Sequence, residues 1–269
     1  MKIKMIAVDM DGTFLNDQKT YNVKRFYNLF SKLQEKEIRF VVASGNQYFQ
    51  LRSFFPDIYQ YITFVSENGA NIVMGDESFY HAKIESETIL ATLILLESLD
   101  PVNLVLCGQN SAYVSKNMPA ENFKKVSFYY PQIKKIDNLF EIQQENDDIF
   151  KFALTFEAHE AKQHLETLKH ALGNTLVPVS SGHGDIDLII PGVHKHRGLT
   201  LVGKEWGIQD SEIATFGDSG NDLEMIKNTA YSFAMENAQE QVKQAAKMVI
   251  GSNNTEAILD EIERILKEA

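Results

Sequence analysis

The chain has 269 residues, of which 44% are hydrophobic and 23% charged, a composition typical of a globular protein with one large or two moderate domains. Its net charge of −11 argues against nucleic acid and anionic membranes as partners, because both require a basic surface. The single cysteine, Cys107, excludes an internal disulfide and favours a reducing compartment. Since the sequence has neither a signal-peptide pattern nor an apolar run of the ~18–20 residues that a membrane helix needs, we expect a cytoplasmic protein.

The first third of the chain alternates between strand and helix patterns. Three short apolar runs are typical of buried parallel strands, at residues 3–8, 38–43 and 62–65. Residues 22–36 carry a helical stripe of apolar side chains, and residues 70–82 predict a hairpin that turns at Gly75-Asp76. The order of these elements predicts a doubly wound parallel sheet with its functional site at the carboxyl ends of the strands.

The middle of the chain has a different pattern. Helices are predicted at residues 85–99 and 159–172, and strands at 103–107, 112–115, 150–156 and 185–190. After Pro191-Gly192 the earlier alternation returns, with elements at residues 199–206, 213–216, 223–227 and 231–234 and a final amphipathic helix from residue 256. We therefore predict an α/β core formed by residues 1–82 and 189–269, interrupted by an inserted α+β domain at residues 83–188.

The segment Asp9-Met10-Asp11-Gly12-Thr13 directly follows the first predicted strand. Two carboxylates two positions apart can both face a crevice once the chain leaves extended geometry, and the glycine permits a sharp turn and a close approach to a ligand. Taken alone, the segment is more typical of a solvated turn with a helix cap. A calcium loop would need a further acidic residue before the glycine and a glutamate at its twelfth position, where Thr20 stands.

A second acidic loop, Gly217-Asp218-Ser219-Gly220-Asn221-Asp222, follows the strand predicted at 213–216. By itself it is consistent with an ordinary strand-to-helix connection that has capping side chains. Because both acidic loops follow predicted parallel strands, we expect them to lie side by side at one edge of the sheet. Several carboxylates in one crevice repel one another unless a hard cation lies among them, and oxygen ligands with retained waters suit Mg²⁺. The two loops together predict a metal site.

Two smaller signals accompany these loops. Ser44-Gly45-Asn46 follows the second strand, where a hydroxyl and free backbone N–H groups can hold phosphate oxygens. Lys195 opens the helix that resumes the core, where the helix dipole opposes a cation and a nearby anion compensates for it. Taken separately, the first signal is no more than a plausible cap and the second is one of many surface lysines.

In combination, these segments resemble the four ordered motifs of the haloacid dehalogenase superfamily, namely Asp-Met-Asp-Gly-Thr at 9–13, Ser44, Lys195 and Gly-Asp-Ser-Gly-Asn-Asp at 217–222. The long insertion between the second and third motifs is similar to the α+β cap of the Cof-type, class IIB branch. Further stretches resemble the bacterial SupH-like sugar phosphatases, at residues 13–17, 41–48, 66–70, 186–192 and 231–235. The resemblance covers essentially the whole chain and implies a Rossmann-like core with an inserted cap.

The resemblance also implies an activity, that of a Mg²⁺-dependent phosphatase. Asp9 would be the nucleophile and Asp11 the general acid/base. The Asp9 carboxylate, the Asp11 backbone carbonyl and Asp218 would hold the metal ion, while Asp222 would act through water or by orienting Lys195. The phosphoryl group would be bound by Gly12, Ser44, Gly45 and Lys195, with Asn221 beside them.

The sequence departs from the family pattern at one position of the expected site. Many Cof-type members have Thr-Gly-Arg where this chain has Ser44-Gly45-Asn46, so a hydroxyl is kept and the cationic contact of the arginine is not. Asn46 can still donate a hydrogen bond to a sugar hydroxyl. The other candidate substrate contacts are Glu67, Asn68 and His183.

We expect the substrate to be a small phosphorylated metabolite, most of all a sugar phosphate, over which the cap closes to exclude water. One alternative is a sugar phosphomutase of the same superfamily, which would return the phosphoryl group to the sugar. The other is a non-enzymatic phospho-receiver or metal-binding module. A receiver domain would have about 120 residues and no large insertion.

Overall fold

Two β-sheets organise the chain in a computed structural model, which describes residues 3–182 and 184–268, with the backbone alone at residues 181 and 182. The strands are β1 Met5–Val8, β2 Arg39–Ala43, β3 Thr63–Ser66, β4 Asn71–Met74, β5 Glu77–His81, β6 Asn103–Gly108, β7 Ala112–Ser115, β8 Ile133–Ile136, β9 Ile149–Thr155, β10 Val177–Gly182, β11 Asp185–Ile189, β12 Ile213–Gly217, β13 Tyr231–Met235 and β14 Met248–Ile250. The helices are α1 Val23–Glu35, α2 Tyr48–Ser53, α3 Ser86–Leu99, α4 Ala120–Tyr129, α5 Ala161–Leu172, α6 Lys195–Trp206, α7 Leu223–Asn228, α8 Glu240–Ala245 and α9 Ala257–Glu268.

The larger sheet has the strand order β14-β13-β12-β1-β2-β3-β4-β5. Strand β1 lies at its centre and pairs in parallel with β12 and with β2, so that Val8 is opposite Phe216 on one side and Val42 on the other. All four residues of β1 are buried, as expected for a strand covered on both faces. This order places the loops after β1, β2 and β12 next to one another at the carboxyl edge of the sheet.

Helices cover both faces of the larger sheet because their apolar stripes match its buried residues. On α1, for example, Phe26, Leu29, Phe30 and Leu33 are buried at helical spacing. The side chain of Asn22 accepts a hydrogen bond from the Arg25 backbone N–H at 3.1 Å and caps the start of this helix. Helix α9 contributes a second buried stripe to the same core cluster, formed by Ile258, Leu259, Ile262, Ile265 and Leu266.

The smaller sheet has the strand order β10-β11-β9-β6-β7-β8, which is antiparallel except for the pair β7 and β8. Its strands span residues 103–189, and a separate apolar cluster packs against it. The α/β fold class is therefore as predicted, with a mainly parallel core sheet and an additional α+β unit. The domain limits at 82/83 and 188/189 stay a prediction, and β11 extends one residue past the second limit.

Most predicted elements are confirmed within one or two residues, including the hairpin of β4 and β5 and the helices α1 and α3. Helix α6 begins at Lys195, as predicted, four residues before the apolar pattern at 199–206. Sequence patterns missed the short helices α2 and α8, the edge strands β8, β10 and β14, and helix α4, in which only Val126 is buried. In residues 3–182 and 184–268 no helix is both long enough and apolar enough to cross a membrane.

Candidate active site

The site lies where β1 ends, with Asp9 as its most central carboxylate. The backbone N–H of Asp9 donates to the Phe216 carbonyl of β12 at 3.0 Å, and the residue is only 4% exposed. Gly12 has φ +74°, and a Cβ there would lie 2.7 Å from Oδ2 of Asp218. A side chain at this position would therefore be strained and would collide with the second acidic loop. Gly12 thus permits the close approach of the two acidic loops, and the predicted close approach to a ligand stays a prediction.

Three carboxylates of the two loops converge at the edge of the sheet. Asp9, Asp218 and Asp222 each offer an oxygen within 4.8 Å of the others. Asp218 accepts a hydrogen bond from Thr13 Oγ1 at 2.8 Å, which ties the second loop to the first. The sequence expectation that residues 9–13 and 217–222 lie side by side is confirmed by this geometry.

Lys195 bridges two of these carboxylates from the first turn of α6. Its Nζ lies 2.6 Å from Oδ1 of Asp9 and 2.6 Å from Oδ1 of Asp222, and its side chain has no exposed surface. Burial opposes the charged form of Lys195, but Asp222 and Asp9 outweigh that effect and raise its pKa. The ammonium group is therefore held in place as a permanent cation beside Asp9.

Asp222 has both of its oxygens engaged by the protein. While Oδ1 accepts from Lys195, Oδ2 accepts from the backbone N–H groups of Asp218 and Ser219 at 2.9 and 3.0 Å. Asp222 is fully buried. This arrangement suits a residue that orients Lys195 and the loop, as the family resemblance implied.

The electrostatics of the cluster favour a divalent cation. Burial, opposed by Lys195 and reinforced by Asp222, raises the pKa of Asp9 well above its ordinary value. Burial and the charge of Asp222 likewise raise the pKa of Asp218 to about 7. Three ionised carboxylates and one ammonium group leave two negative charges, which a hard divalent ion would balance. The oxygen donors of Asp9 and Asp218 therefore fit a metal ion of the kind the family uses.

Asp11 lies at the rim of this cluster, in a different environment. Its Oδ2 accepts a hydrogen bond from Asn46 Nδ2 at 2.6 Å, and its Oδ1 is paired with the ammonium group of Lys19. The Asp11 side chain is 29% exposed, whereas that of Asp9 is 6% exposed. The two carboxylates of the first motif thus differ in solvation and in partners. Such a difference suits separate chemical roles.

Ser44 and Gly45 lie at the end of β2. Ser44 is 2% exposed, and its Oγ accepts from the Asn46 backbone N–H at 3.2 Å. A Cβ at Gly45 would lie 3.1 Å from Oδ2 of Asp187 and 3.2 Å from Oδ1 of Asn68, so there is little room for a side chain. Both residues are located where the sequence predicted a phosphate-binding turn, beside the end of β1.

A chain of side-chain amides and carboxylates extends from the motif loops into the smaller sheet. Asn221 donates to Asn68 Oδ1 at 3.0 Å, and Asn68 donates to Asp187 Oδ2 at 2.6 Å. Asn221 is therefore directed at Asn68 in this structure. Its expected place beside Ser44 and Lys195 at the phosphoryl group stays a prediction.

Glu67 contacts the smaller sheet. Among the described residues its ion-pair partner is Lys151, which does not belong to the acidic cluster. Its Oε2 lies 3.1 Å from Nζ of Lys151, which also lies 3.2 Å from Asp187 and donates to the Gly45 carbonyl. Glu67 and Lys151 are each 1% exposed. Burial, opposed by Lys151, raises the pKa of Glu67 to about 6.

Sequence reasoning missed three residues of this region, Lys19, Lys151 and Asp187. A signal existed for Lys151, because it stands between Phe150 and Phe152 inside a predicted buried strand, where a lysine requires a partner. Lys19 gave no comparable signal, since it lies in a polar turn. The predicted substrate contact His183 lies outside the described residues.

Comparisons with known proteins identify the family of this chain. A family model described as haloacid dehalogenase-like hydrolase matches residues 6–262. The chain belongs to this family, and it is an enzyme, a phosphatase.

Two curated relatives illustrate the range of the family. The 5-amino-6-(5-phospho-D-ribitylamino)uracil phosphatase YbjI of Escherichia coli is 45% identical, with 99% of this chain and 97% of that protein aligned. The pyridoxal phosphate phosphatase YbhA of the same organism is 26% identical over 96% of this chain and 97% of its own length.

Solved structures resemble the whole fold. SMU.1108c of Streptococcus mutans has a TM-score of 0.92 at 36% identity and covers 98% of this chain and 99% of its own. The subclass IIB sugar phosphatase BT4131 has a TM-score of 0.80 at 22% identity and covers 97% of this chain and 98% of its own, a likeness of fold alone. The fold of the whole chain, both sheets included, is thus shared with these two structures.

Proposed function

We propose that the chain is a Mg²⁺-dependent phosphomonoester hydrolase that acts on small phosphorylated metabolites through an aspartyl-phosphate formed on Asp9. The observation that carries this proposal is the position of Asp9. It is nearly buried, bonded to the ammonium group of Lys195 and within 4.8 Å of the carboxylates of Asp218 and Asp222. A carboxylate nucleophile requires cations around it that neutralise the incoming phosphoryl group.

The metal site in this proposal consists of the Asp9 carboxylate, the backbone carbonyl of Asp11 and the carboxylate of Asp218. The raised pKa values of Asp9 and Asp218 support this site. Burial disfavours the ionised form of both carboxylates, and a bound cation would stabilise that form. When bound, Mg²⁺ neutralises charge on the phosphoryl oxygens and orients the group for in-line attack.

In the first half of the reaction, Asp9 Oδ attacks phosphorus and the ester P–O bond breaks. Asp11 gives its proton to the departing alcohol oxygen. Lys195, the hydroxyl of Ser44 and backbone N–H groups at Gly12 and Gly45 hold the equatorial oxygens of the phosphoryl group.

In the second half, water attacks the phosphorus of the acyl phosphate. Asp11 takes the proton of that water, and the bond between phosphorus and Asp9 breaks to release inorganic phosphate. The exposure of Asp11 at the rim suits these exchanges with the alcohol and with water, whereas the burial of Asp9 protects the intermediate.

We propose a primary phosphate on a polyhydroxylated chain as the substrate class. A sugar phosphate and a phosphoribityl compound share this chemistry, and both occur in the names of similar proteins. Asn46 supports the proposal, because its amide lies at the rim beside Asp11 and can exchange hydrogen bonds with hydroxyl groups. The inserted unit at residues 83–188 would act as the cap that selects the polyhydroxylated part of the substrate. The proposed location of the protein is the cytoplasm.

The test is a screen for phosphate release from sugar phosphates, 5-amino-6-(5-phospho-D-ribitylamino)uracil and pyridoxal phosphate, each with and without Mg²⁺. We expect multiple turnovers that need Mg²⁺ and that favour the polyhydroxylated substrates. Isomerised sugar phosphate without free phosphate would identify a mutase and contradict the proposal. A preference for pyridoxal phosphate would overturn the substrate class while leaving the hydrolase intact.

A further inference from the structure

Lys19 lies in the polar turn after the first motif and has a place in the site that the reaction scheme above does not use. Its ammonium group is paired with Oδ1 of Asp11, while Asn46 donates to Oδ2 of the same carboxylate at 2.6 Å. Both oxygens of Asp11 are therefore held by side chains of the protein. Removing Lys19 would free one of them.

The turn that carries Lys19 is fixed by its own hydrogen bonds. Oδ1 of Asn16 accepts from the backbone N–H groups of Gln18 and Thr20, each at 3.0 Å. The Lys19 backbone N–H donates to the Asn16 carbonyl at 2.9 Å. Lys19 itself has φ +57°, a left-handed conformation that a lysine rarely adopts. Because the hydrogen bonds of Asn16 hold Lys19 in this unfavourable backbone conformation, the turn determines the direction of the Lys19 side chain.

A second set of bonds anchors this turn to the body of the core. Asp17 accepts from the side-chain amides of Asn253 and Asn254 at 3.1 and 3.0 Å. The turn therefore cannot shift freely when the neighbouring side chains change. This rigidity is what a residue needs if it is to hold another side chain in a fixed place.

The cap also contacts Lys19. The Lys19 ammonium lies 5.8 Å from the ring centre of Tyr129, within the range of a cation–π contact. Tyr129 is the last residue of α4, in the unit that carries the smaller sheet. Next to it, Gln47 of the core and Gln132 exchange two hydrogen bonds, at 3.0 and 3.1 Å. The Tyr129 ring is thus held over Lys19 by a tight contact between cap and core.

We infer that Lys19 is a positioning residue for the proposed reaction, which holds the Asp11 carboxylate at its working place, and that Tyr129 couples this function to the closed cap. The inference rests on the proposed function, since it assigns Asp11 to proton transfer. The pair is partly exposed, with 34% of the Lys19 and 29% of the Asp11 side chain accessible, so solvent screening limits its contribution to folding stability. Lys19 also provides a cation close to Asn46, since both side chains contact the Asp11 carboxylate.

The experiment compares Lys19→Met, Lys19→Arg and Tyr129→Leu with the wild type in the presence of Mg²⁺. The control is Lys24→Met, because Lys24 is exposed on α1. Measurements are kcat and KM for the best substrate of the screen and the midpoint of thermal unfolding. We expect Lys19→Met to lower kcat about tenfold to hundredfold, since misplaced catalytic groups lose rate on this scale. KM and the unfolding midpoint should change little, and Lys19→Arg should recover part of kcat.

The double variant Lys19→Met/Tyr129→Leu tests the coupling to the cap. If Tyr129 acts through Lys19, the two losses in kcat should not multiply, and the double variant should resemble Lys19→Met alone. Multiplying losses would overturn the role of Tyr129. A kcat within twofold of wild type for Lys19→Met, or a rise in KM without a fall in kcat, would overturn the role of Lys19. Neither result affects the proposed function, which fails instead if Asp9→Asn still turns over.

Discussion

Lys195 and Asp9 are 186 positions apart in the chain, yet Nζ of Lys195 lies 2.6 Å from Oδ1 of Asp9 with both side chains buried. The contact exists because β1 is central in the sheet and α6 begins beside its carboxyl end. It joins the first and third motifs of the family into one site. The same contact also contributes to the stability of the fold, because both charges are almost completely buried and each depends on the other.

Replacing Lys195 should therefore affect stability as well as turnover. In Lys195→Gln, the carboxylates of Asp9 and Asp222 lose their shared buried cation, and we expect a loss of about 3–5 kcal/mol in the free energy of unfolding. The measurement is urea unfolding in EDTA. Lys204→Gln, at an exposed position of the same helix, is the matched control and should unfold like the wild type. Equal stability of all three proteins would contradict the described ion-pair network.

The affinity for Mg²⁺ should depend on pH. The pKa of Asp218 is about 7 and that of Asp9 is also raised, so the metal-free site holds protons that a cation must displace. For the proton on Asp218, affinity should fall by up to about tenfold per unit as the pH drops below 7, and a proton on Asp9 makes the fall steeper. Calorimetric titration in two buffers of different ionisation enthalpy counts the released protons. An affinity that is the same at pH 6 and pH 8 would argue against these carboxylates as metal ligands.

Glu67 should give the fold a distinct pH dependence. Its folded-state pKa is about 6 against an ordinary value of 4.5, so the folded protein binds the proton more tightly than the unfolded chain does. This contribution to stability is present below pH 4.5 and is lost as the pH rises through 6. It amounts to about 2 kcal/mol for a buried group.

Glu67→Gln removes the titrating carboxyl group. The loss in the free energy of unfolding that Glu67 causes between pH 4.5 and 6 should therefore be absent in this variant. Urea unfolding at several pH values checks the slope, and Glu35→Gln at an exposed position of α1 is the control. The control should keep the wild-type slope. If Glu67→Gln keeps it as well, then the carboxyl group of Glu67 does not titrate in this range.

Much of the core could be predicted from the sequence because its signals are local. Buried apolar runs such as β1 and the amphipathic stripe of α1 define their own elements, and the acidic loops follow their strands directly. The convergence of Asp9 and Asp218 followed from the parallel arrangement of β1 and β12.

The rest required the three-dimensional structure. The contact of Lys19 with Asp11 depends on a left-handed turn that residue types do not encode clearly. The pairing of Lys151 with Glu67 joins two elements far apart in sequence, so no local pattern reveals its partner. Edge elements such as β14 are short and partly exposed, and they lack the apolar periodicity on which prediction depends.

The central claim, that Asp9 is the nucleophile, is tested most directly by Asp9→Asn, assayed with the best substrate of the screen and saturating Mg²⁺. The matched control is Asp76→Asn in the exposed turn between β4 and β5. We predict that Asp9→Asn keeps the folded structure by circular dichroism and loses turnover to background, while the control retains wild-type kcat. Appreciable turnover by freshly purified Asp9→Asn, with the asparagine intact by mass spectrometry, would show that another group attacks phosphorus.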